Sequence, residues 1–204
     1  MIGKYGRDTR MIYLIDFGMA RSFVAKDMAT GQLAIRKPRE GEQLFRGTPR
    51  YCSLNTHYRK EQVLAIIVAI ATTLSYLCLY QGRVDDLWSW LYMLVELHTG
   101  LPWNRLGDEK EILARKLKCT PKQLFRSCPE EFFKIYDYLK TLKYEDRPDY
   151  YGLFSECAAG LKRVYGSFLD RYEWEIGIDE EDINTALSIS EHDRKPHKAL
   201  GSML

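Results

Sequence analysis

The chain has 204 residues, of which 46% are hydrophobic and 28% are charged, and its formal net charge at pH 7 is +2. That length fits one domain or a large piece of one. The near-neutral charge argues against a protein that binds nucleic acid or a membrane surface by electrostatic attraction. The five cysteines and four histidines have no metal-ligand spacing. We interpret the cysteines as the free thiols of a cytoplasmic protein and the histidines as structural or solvent-facing residues.

The first predicted elements are a strand and a long loop. The apolar run Met11–Ile15 precedes Asp16, Phe17 and Gly18, and so short a run predicts a buried strand that ends in a loop. Residues 20–50 are rich in charge, Gly and Pro and show no sustained periodicity. They predict a loop, whose length is typical of a functional or disordered segment.

Four helices are predicted in the rest of the chain. Residues 85–100 (DDLWSWLYMLVELHTG) are apolar nearly all round and end in a glycine, so we expect a central buried helix. Residues 108–117 and 129–144 predict amphipathic helices with acidic starts and basic ends, which suits the helix dipole. A further helix is predicted after Pro148, and the polar segment from about Asp179 is expected to fray.

The segment 63–81 (VLAIIVAIATTLSYLCLYQ) interrupts this pattern, because no charged residue lies between Glu61 and Arg83. As a helix it would be about 28 Å long, close to the ~30 Å hydrocarbon core of a bilayer. Three interpretations are open: a single membrane span, an inserted helix that packs on the domain, or an insertion that does not belong to the fold.

A series of motifs along the chain resembles the motifs of one protein family. Asp16-Phe17-Gly18 alone is a weak signal, but it is followed in order by GTPRYCSLN (47–55), DDLWS (85–89), GLPW (100–103) and DRPDYYGLF (146–154). In this order they resemble the C-terminal half of a protein kinase catalytic domain. More closely, they resemble the casein kinase 1 superfamily and its tau-tubulin kinase-like branch, which carries Ser-Ile/Val-Asn where most kinases have Ala-Pro-Glu. The matching residues here are Ser53-Leu54-Asn55.

The resemblance covers residues 2 to about 172, without 63–81. It implies a mainly α fold, the helical C-terminal lobe of a protein kinase without the N-terminal β lobe and the catalytic loop. Residues 1–178 are then a partial kinase domain with an apolar insertion at 63–81, and residues 179–204 a polar, flexible tail.

The resemblance also implies cofactors and site residues. An intact parent enzyme would phosphorylate protein serine or threonine with ATP and Mg²⁺. Asp16 would hold the Mg²⁺, with Phe17 packed beneath it and Gly18 allowing the backbone to turn. Thr48 would position the substrate and bond the Asp of the catalytic loop. Asp86 would accept N–H bonds from the catalytic loop. Without the family context, Asp16 would be an ordinary Asp at a strand end.

The predicted substrates are proteins that are acidic or already phosphorylated. Arg50 matches an anion-binding arginine of the family, and a guanidinium offers a two-pronged fork for phosphate; the alternative is a solvated loop arginine. The family's companion lysine falls on Gly107, with only Arg105 nearby, so recognition of phosphorylated substrates is left open. Asp85 is interpreted as charge at a helix N-terminus. Arg147 cannot form its usual kinase ion pair, because the partner position is Asn55.

Missing motifs limit the predicted activity. No GxGxxG, VAIK or HRD precedes Asp16, and MIGKYGRDTRMIYLIDFG resembles the stretch that directly follows the catalytic loop. We therefore expect the chain by itself to transfer no phosphate, because the general base and the phosphate-holding groups are absent. We also expect a marginally stable, sticky lobe, because each Å² of uncovered apolar surface costs about 25 cal/mol.

Two other functions remain as alternatives. One is a non-catalytic, kinase-like binding module. The other is a membrane protein anchored by residues 63–81, which is disfavoured because a span would separate kinase segments that must touch. Deleting 63–81 leaves RKEQGRVDDLW, which restores the spacing of the family. Since Val codons begin with GT and a Gln codon can end in AG, we hypothesise that this stretch is an in-frame intron read as coding.

Overall fold

The computed structural model describes residues 2–3, 10–36, 45, 47–60, 81–175, 177, 181 and 183–184. The chain divides into two compact units. One comprises Met1–Ala34 and Tyr165–Leu204, and the other comprises Ile35–Val164.

Helices dominate the regular structure of the described residues. They are α1 (Leu54–Lys60), α2 (Arg83–Thr99), α3 (Glu109–Lys118), α4 (Pro121–Leu124), α5 (Glu130–Thr141) and α6 (Tyr150–Arg163), with two 3-10 turns at Phe17–Met19 and Glu173–Glu175. Two short strands, β1 (Val24–Lys26) and β2 (Leu33–Ile35), pair with each other. The prediction of a mainly α fold is confirmed. The four predicted helices correspond to α2, α3, α5 and α6.

Local sequence explains where these helices begin and end. The Asp108 carboxylate accepts hydrogen bonds from the backbone of Lys110 and Glu111 (2.9 and 3.1 Å), which caps α3. Asp149 caps α6 in the same way, through the N–H of Gly152 at 2.8 Å. Such caps satisfy backbone donors that have no partner inside the helix. Gly100 ends α2 with a φ of 81°, a conformation that favours glycine.

The core of the helical unit forms around α2. Leu91, Tyr92 and Val95 of α2 are buried together with Leu101, Trp103, Ile112, Leu124, Phe125, Ile135, Leu139 and Leu153. Helix α2 packs against α5, α5 packs against α6, and α1 packs against α3. The other side of α2 carries Met93 and Leu97, which are 41% and 77% exposed. The expectation of a helix buried all round therefore holds for one face only.

A buried ion pair organises the other unit. Arg10 Nη2 lies 2.8 Å from Glu175 Oε2, and the two side chains are 4% and 0% exposed. Arg10 also donates to the carbonyls of Phe168 and Asp170 (3.0 and 2.9 Å), and its guanidinium lies 4.8 Å from the centre of the Tyr172 ring. These partners offset the desolvation of the two charges, which is the condition under which a buried pair is tolerated.

Two predictions for residues 11–35 were wrong. Met11–Ile15 forms no strand apart from one bridge between Ile2 and Ile12, and its side chains are 44% to 81% exposed. The apolar run indicates a need for burial but does not supply a covering partner. Within the predicted loop, β1 and β2 form a hairpin. The turn is stabilised by Asp27, whose carboxylate accepts from the N–H groups of Ala29 and Thr30 (2.8 and 2.9 Å).

Two predictions fall mostly outside the described residues. Of the segment 63–81 only Gln81 is described, and of the tail 179–204 only residues 181, 183 and 184. Within the ranges that the structure describes, no helix combines the length and apolarity needed to cross a bilayer.

Candidate functional site

The predicted site residues lie in both units. Asp16, Phe17 and Gly18 belong to the unit of Met1–Ala34 and Tyr165–Leu204, whereas Thr48, Arg50, Asp86 and Arg105 belong to Ile35–Val164. In the second unit, Thr48 and Arg50 share one loop. Arg105 follows Asn104, whose carbonyl accepts a bond from Arg50, and Asp86 lies in the first turn of α2.

Asp16 has a left-handed backbone, with φ 63° and ψ 70°, directly before a 3-10 turn. Its carboxylate accepts a bond from Gly18 N–H at 3.3 Å, and a side chain at Gly18 would come within 3.2 Å of the same oxygen. Glycine therefore suits this turn. Phe17 is 64% exposed, and its packing beneath Asp16 in an intact enzyme stays a prediction.

Asp16 is not part of a ready-made metal cluster among the described residues. Across the ranges that the structure describes, no group of three or more His, Cys, Asp or Glu side chains is arranged to hold a metal ion. Mg²⁺ beside a nucleotide is usually held by one or two carboxylates together with phosphate oxygens and water, so a carboxylate such as Asp16 would supply only part of its coordination. Metal binding by Asp16 stays a prediction.

Residues 47–53, which we call the substrate loop after the role that the family resemblance implies, connect to α1. Gly47 has a φ of 118°, and the carbonyl of Thr48 accepts bonds from the N–H groups of Tyr51 and Cys52 (3.0 and 3.1 Å). The backbone carbonyl of Arg50 accepts a hydrogen bond from Trp103 Nε1 at 2.8 Å. Trp103 is 1% exposed. The loop is thus anchored to the core, while Thr48 itself is exposed.

Lys116 fixes the substrate loop from α3. Its ammonium donates to the carbonyls of Pro49 and Cys52 (2.8 and 2.6 Å) and lies 3.2 Å from His57 Nε2. An ammonium has three donors, so these three acceptors satisfy it. Lys116 is only 6% exposed, and burial lowers its pKa to about 8. The rings of Tyr92 and Trp103 lie 5.0 and 5.3 Å from the ammonium and provide cation–π attraction.

His57 supplies the third acceptor for that ammonium. Since Lys116 only donates, Nε2 must carry a lone pair and the imidazole proton lies on Nδ1, 3.7 Å from Glu109 Oε1. His57 is 1% exposed. Desolvation and the nearby Lys116 charge lower the pKa of His57 to about 4, against the opposing effect of Glu109. The sequence interpretation of a structural histidine therefore describes His57 well.

Arg50 is bonded inside the protein. Nη1 lies 3.0 Å from Glu96 Oε1, and Nη2 donates to the Asn104 carbonyl at 2.8 Å. A hydrogen bond to Glu96 also raises the pKa of the neighbouring Tyr51. Arg105 is exposed. The anion-binding role of Arg50 and Arg105 stays a prediction.

The two acidic residues at the start of α2 have different surroundings. Asp85, which the sequence interpretation treated as helix-terminal charge, is 3% exposed. Its carboxylate accepts from Ser53 Oγ and from Gly82 N–H, the latter at 2.7 Å, so it ties the substrate loop to α2. Asp86 has an exposed side chain, and partial desolvation, followed by repulsion from Asp85, raises its pKa. Its predicted support of a catalytic loop stays a prediction.

Sequence reasoning missed Lys116 and Glu96 and misjudged Asp85. Lys116 lies in the basic last turn of an amphipathic helix, where lysines are usually solvated, and Glu96 lies one turn before the end of α2. A glutamate close to a helix C-terminus is unfavourable for the dipole, and that is the signal that could have indicated a cationic partner. No pattern in the sequence distinguishes Asp85 from Asp86.

No protein-family model matches the chain. Similar curated proteins are a probable serine/threonine-protein kinase of Dictyostelium discoideum (36% identical, over 86% of this chain and 30% of that protein) and an inactive tau-tubulin kinase of Caenorhabditis elegans (33% identical, over 84% and 53%). Casein kinase I homolog 3 of Schizosaccharomyces pombe is 30% identical over 86% of this chain and 36% of its own length. The chain spans about a third to a half of the length of these relatives. By this similarity, the chain belongs to the serine/threonine-protein kinases of the casein kinase 1 superfamily, in the group that includes the tau-tubulin kinases.

Proposed function

We propose that the chain is part of a serine/threonine protein kinase domain, to which it contributes the substrate loop and the helical framework behind it. The kinase relatives imply that the intact enzyme uses ATP and Mg²⁺ and acts on protein substrates. In that enzyme, Asp16 would bind Mg²⁺, Thr48 would position the substrate hydroxyl, and Asp86 would support the catalytic loop.

The way in which the substrate loop is held supports this proposal. Phosphoryl transfer depends mainly on positioning and on neutralising charge, so the enzyme needs a rigid substrate-facing loop. Here the carbonyls of Pro49, Arg50 and Cys52 are bound by two buried side chains, Lys116 and Trp103, while Thr48 stays exposed. This is the arrangement expected of a platform that receives a peptide.

The part of Arg50 in this platform is structural, because its guanidinium is bonded to Glu96 and to the Asn104 carbonyl. Arg105 is the exposed cation beside it and could attract an acidic substrate. Surface charges of this kind affect the association rate more than the affinity.

A chimera tests the proposal. The part of the Dictyostelium relative that precedes the matched region is joined to this full chain, and transfer of the γ-phosphate to casein is measured. We expect activity that falls at least about 100-fold in Asp16→Ala, the scale for loss of one charge-stabilising group. Asp137→Ala, on the exposed side of α5, is the matched control and should keep full activity.

The chain without that addition should transfer no more phosphate than its own Asp16→Ala variant. Transfer above that level would contradict the proposed inactivity of the isolated chain. A chimera that folds, judged by its helical circular dichroism, but transfers no phosphate would contradict the kinase function itself.

A non-catalytic binding module is the second candidate. It is favoured by the exposed apolar side chains of residues 11–19, among them Ile12 and Leu14 at 76% and 81% exposure, because contiguous apolar surface commonly marks an interaction site. An inactive tau-tubulin kinase among the relatives is compatible with it. A folded but inactive chimera would favour this function over catalysis.

A further inference from the structure

Arg50 is held in place through both its backbone carbonyl and its guanidinium. The backbone carbonyl accepts from the buried Trp103 indole at 2.8 Å, and the side chain bonds the Glu96 carboxylate and the Asn104 carbonyl. Arg50 cannot swing toward solvent without breaking these side-chain bonds. The part of the loop most suited to binding an external anion is therefore already occupied.

Glu96 lies at the surface beside the Arg50 guanidinium. Its Oε1 lies 3.0 Å from Arg50 Nη1. The side chains of Glu96 and Arg50 are 21% and 37% exposed. The pair is therefore at the surface, where an incoming anion competes with Glu96 for the guanidinium.

We infer that Glu96 is a specificity-determining residue, which fills the Arg50 site as an internal anion and so prevents this chain from selecting substrates by a phosphate at that position. The inference rests on the proposed function, in which residues 47–53 face the substrate. The expected substrates are proteins that make no phosphate contact with Arg50.

Charge supports the assignment. The charges of Arg50 and Glu96 cancel, so an incoming phosphate monoester gains little net attraction and is repelled by the carboxylate at short range. To reach the two Nη atoms it must displace both Glu96 and the Asn104 carbonyl. Replacing Glu96 by Gln removes the competing charge and leaves the fork available, since a guanidinium binds phosphate with paired hydrogen bonds.

Calorimetric titration of the full chain tests the inference, with inorganic phosphate and a phosphoserine peptide as separate probes at low ionic strength and pH 7.5. We expect Glu96→Gln to bind both probes at least about tenfold more tightly than wild type, as gain of a charge-assisted fork allows. Arg50→Gln combined with Glu96→Gln should return to the wild-type level. Glu111→Gln changes the net charge equally on the exposed side of α3 and should have no effect.

Glu96→Ala provides a second route, because it removes the carboxylate altogether; it should also bind both probes more tightly than wild type. Wild type that binds phosphoserine peptide as tightly as Glu96→Gln would overturn the inference, as would Glu96→Gln and Glu96→Ala variants that fold but gain no affinity. Because phosphate binding is measured without phosphotransfer, failure of the kinase chimera would overturn the proposed function and not this result.

Discussion

Lowering the pH from 7 to 4 is expected to destabilise the helical unit through His57. In the folded chain, His57 Nε2 accepts from the Lys116 ammonium at 3.2 Å, and the imidazole is 1% exposed. Protonation would place a second N–H against that ammonium and remove its third acceptor. Protonation of His57 would therefore weaken the contacts that hold the substrate loop to α3.

The magnitude follows from the two pKa values. The pKa of His57 is about 4 in the folded chain, whereas its ordinary value is 6.5. Between these values the unfolded chain binds a proton that the folded chain does not, so the free energy of unfolding falls as the pH decreases from 6.5 to 4. A difference of about 2.5 units, at 1.36 kcal/mol each, corresponds to ~3 kcal/mol lost at and below pH 4.

Urea unfolding at several pH values measures this loss, with far-UV circular dichroism and tryptophan fluorescence as probes. His57→Gln keeps an acceptor for Lys116 and removes the titration, so wild type should lose ~3 kcal/mol more than this variant between pH 7 and 4. His98→Gln is the control, because His98 has an exposed hydrogen bond to the Ser127 carbonyl. Parallel pH profiles for wild type and His57→Gln would refute the proposed role of the buried imidazole.

Three further predictions concern the other buried charges. Lys116→Met leaves the Pro49 and Cys52 carbonyls without their donor and should lower the free energy of unfolding by about 2–4 kcal/mol, whereas Lys110→Met on the exposed side of α3 should not. Since the pKa of Lys116 is about 8 when folded and ordinarily 10.5, wild type should gain stability over this variant as the pH rises between those values. Arg10→Met leaves the buried Glu175 carboxylate without its partner and should lower the free energy of unfolding by about 3–5 kcal/mol, measured by urea unfolding with Trp174 fluorescence. An Arg10→Met, Glu175→Met double variant should recover part of this loss, and a double variant that recovers none of it would contradict the prediction.

The helical framework could be predicted because its signals are local. Helices α3 and α6 begin at Asp108 and Asp149, which cap backbone donors three residues or fewer away, and α2 ends at a glycine that follows an apolar repeat. The strand prediction for Met11–Ile15 was wrong for the opposite reason. Its apolar residues indicate that burial is favourable, but burial depends on a covering surface that no local pattern encodes.

The site could be predicted only as far as its motifs reach. The motif at 47–55 led to Thr48 and Arg50, and the structure places both in one loop. The residues that shape this loop are distant in sequence: Lys116 bonds the carbonyl of Pro49 across 67 positions, and Arg50 pairs with Glu96 across 46. Such partners depend on helix packing, and in the sequence they look like ordinary solvated charges.

The anchoring of the substrate loop by Trp103 and Lys116 also has a consequence for the order in which the chain takes shape during synthesis. All residues of the loop are synthesised before α3. The Pro49 and Cys52 carbonyls bind Lys116, which lies 67 and 64 positions downstream, and the Arg50 carbonyl binds the Trp103 indole, 53 positions downstream. The nascent loop is therefore unsupported until residue 116 emerges and α3 packs. A product shortened before α3 would contain every residue of the loop motif and would lack its shape.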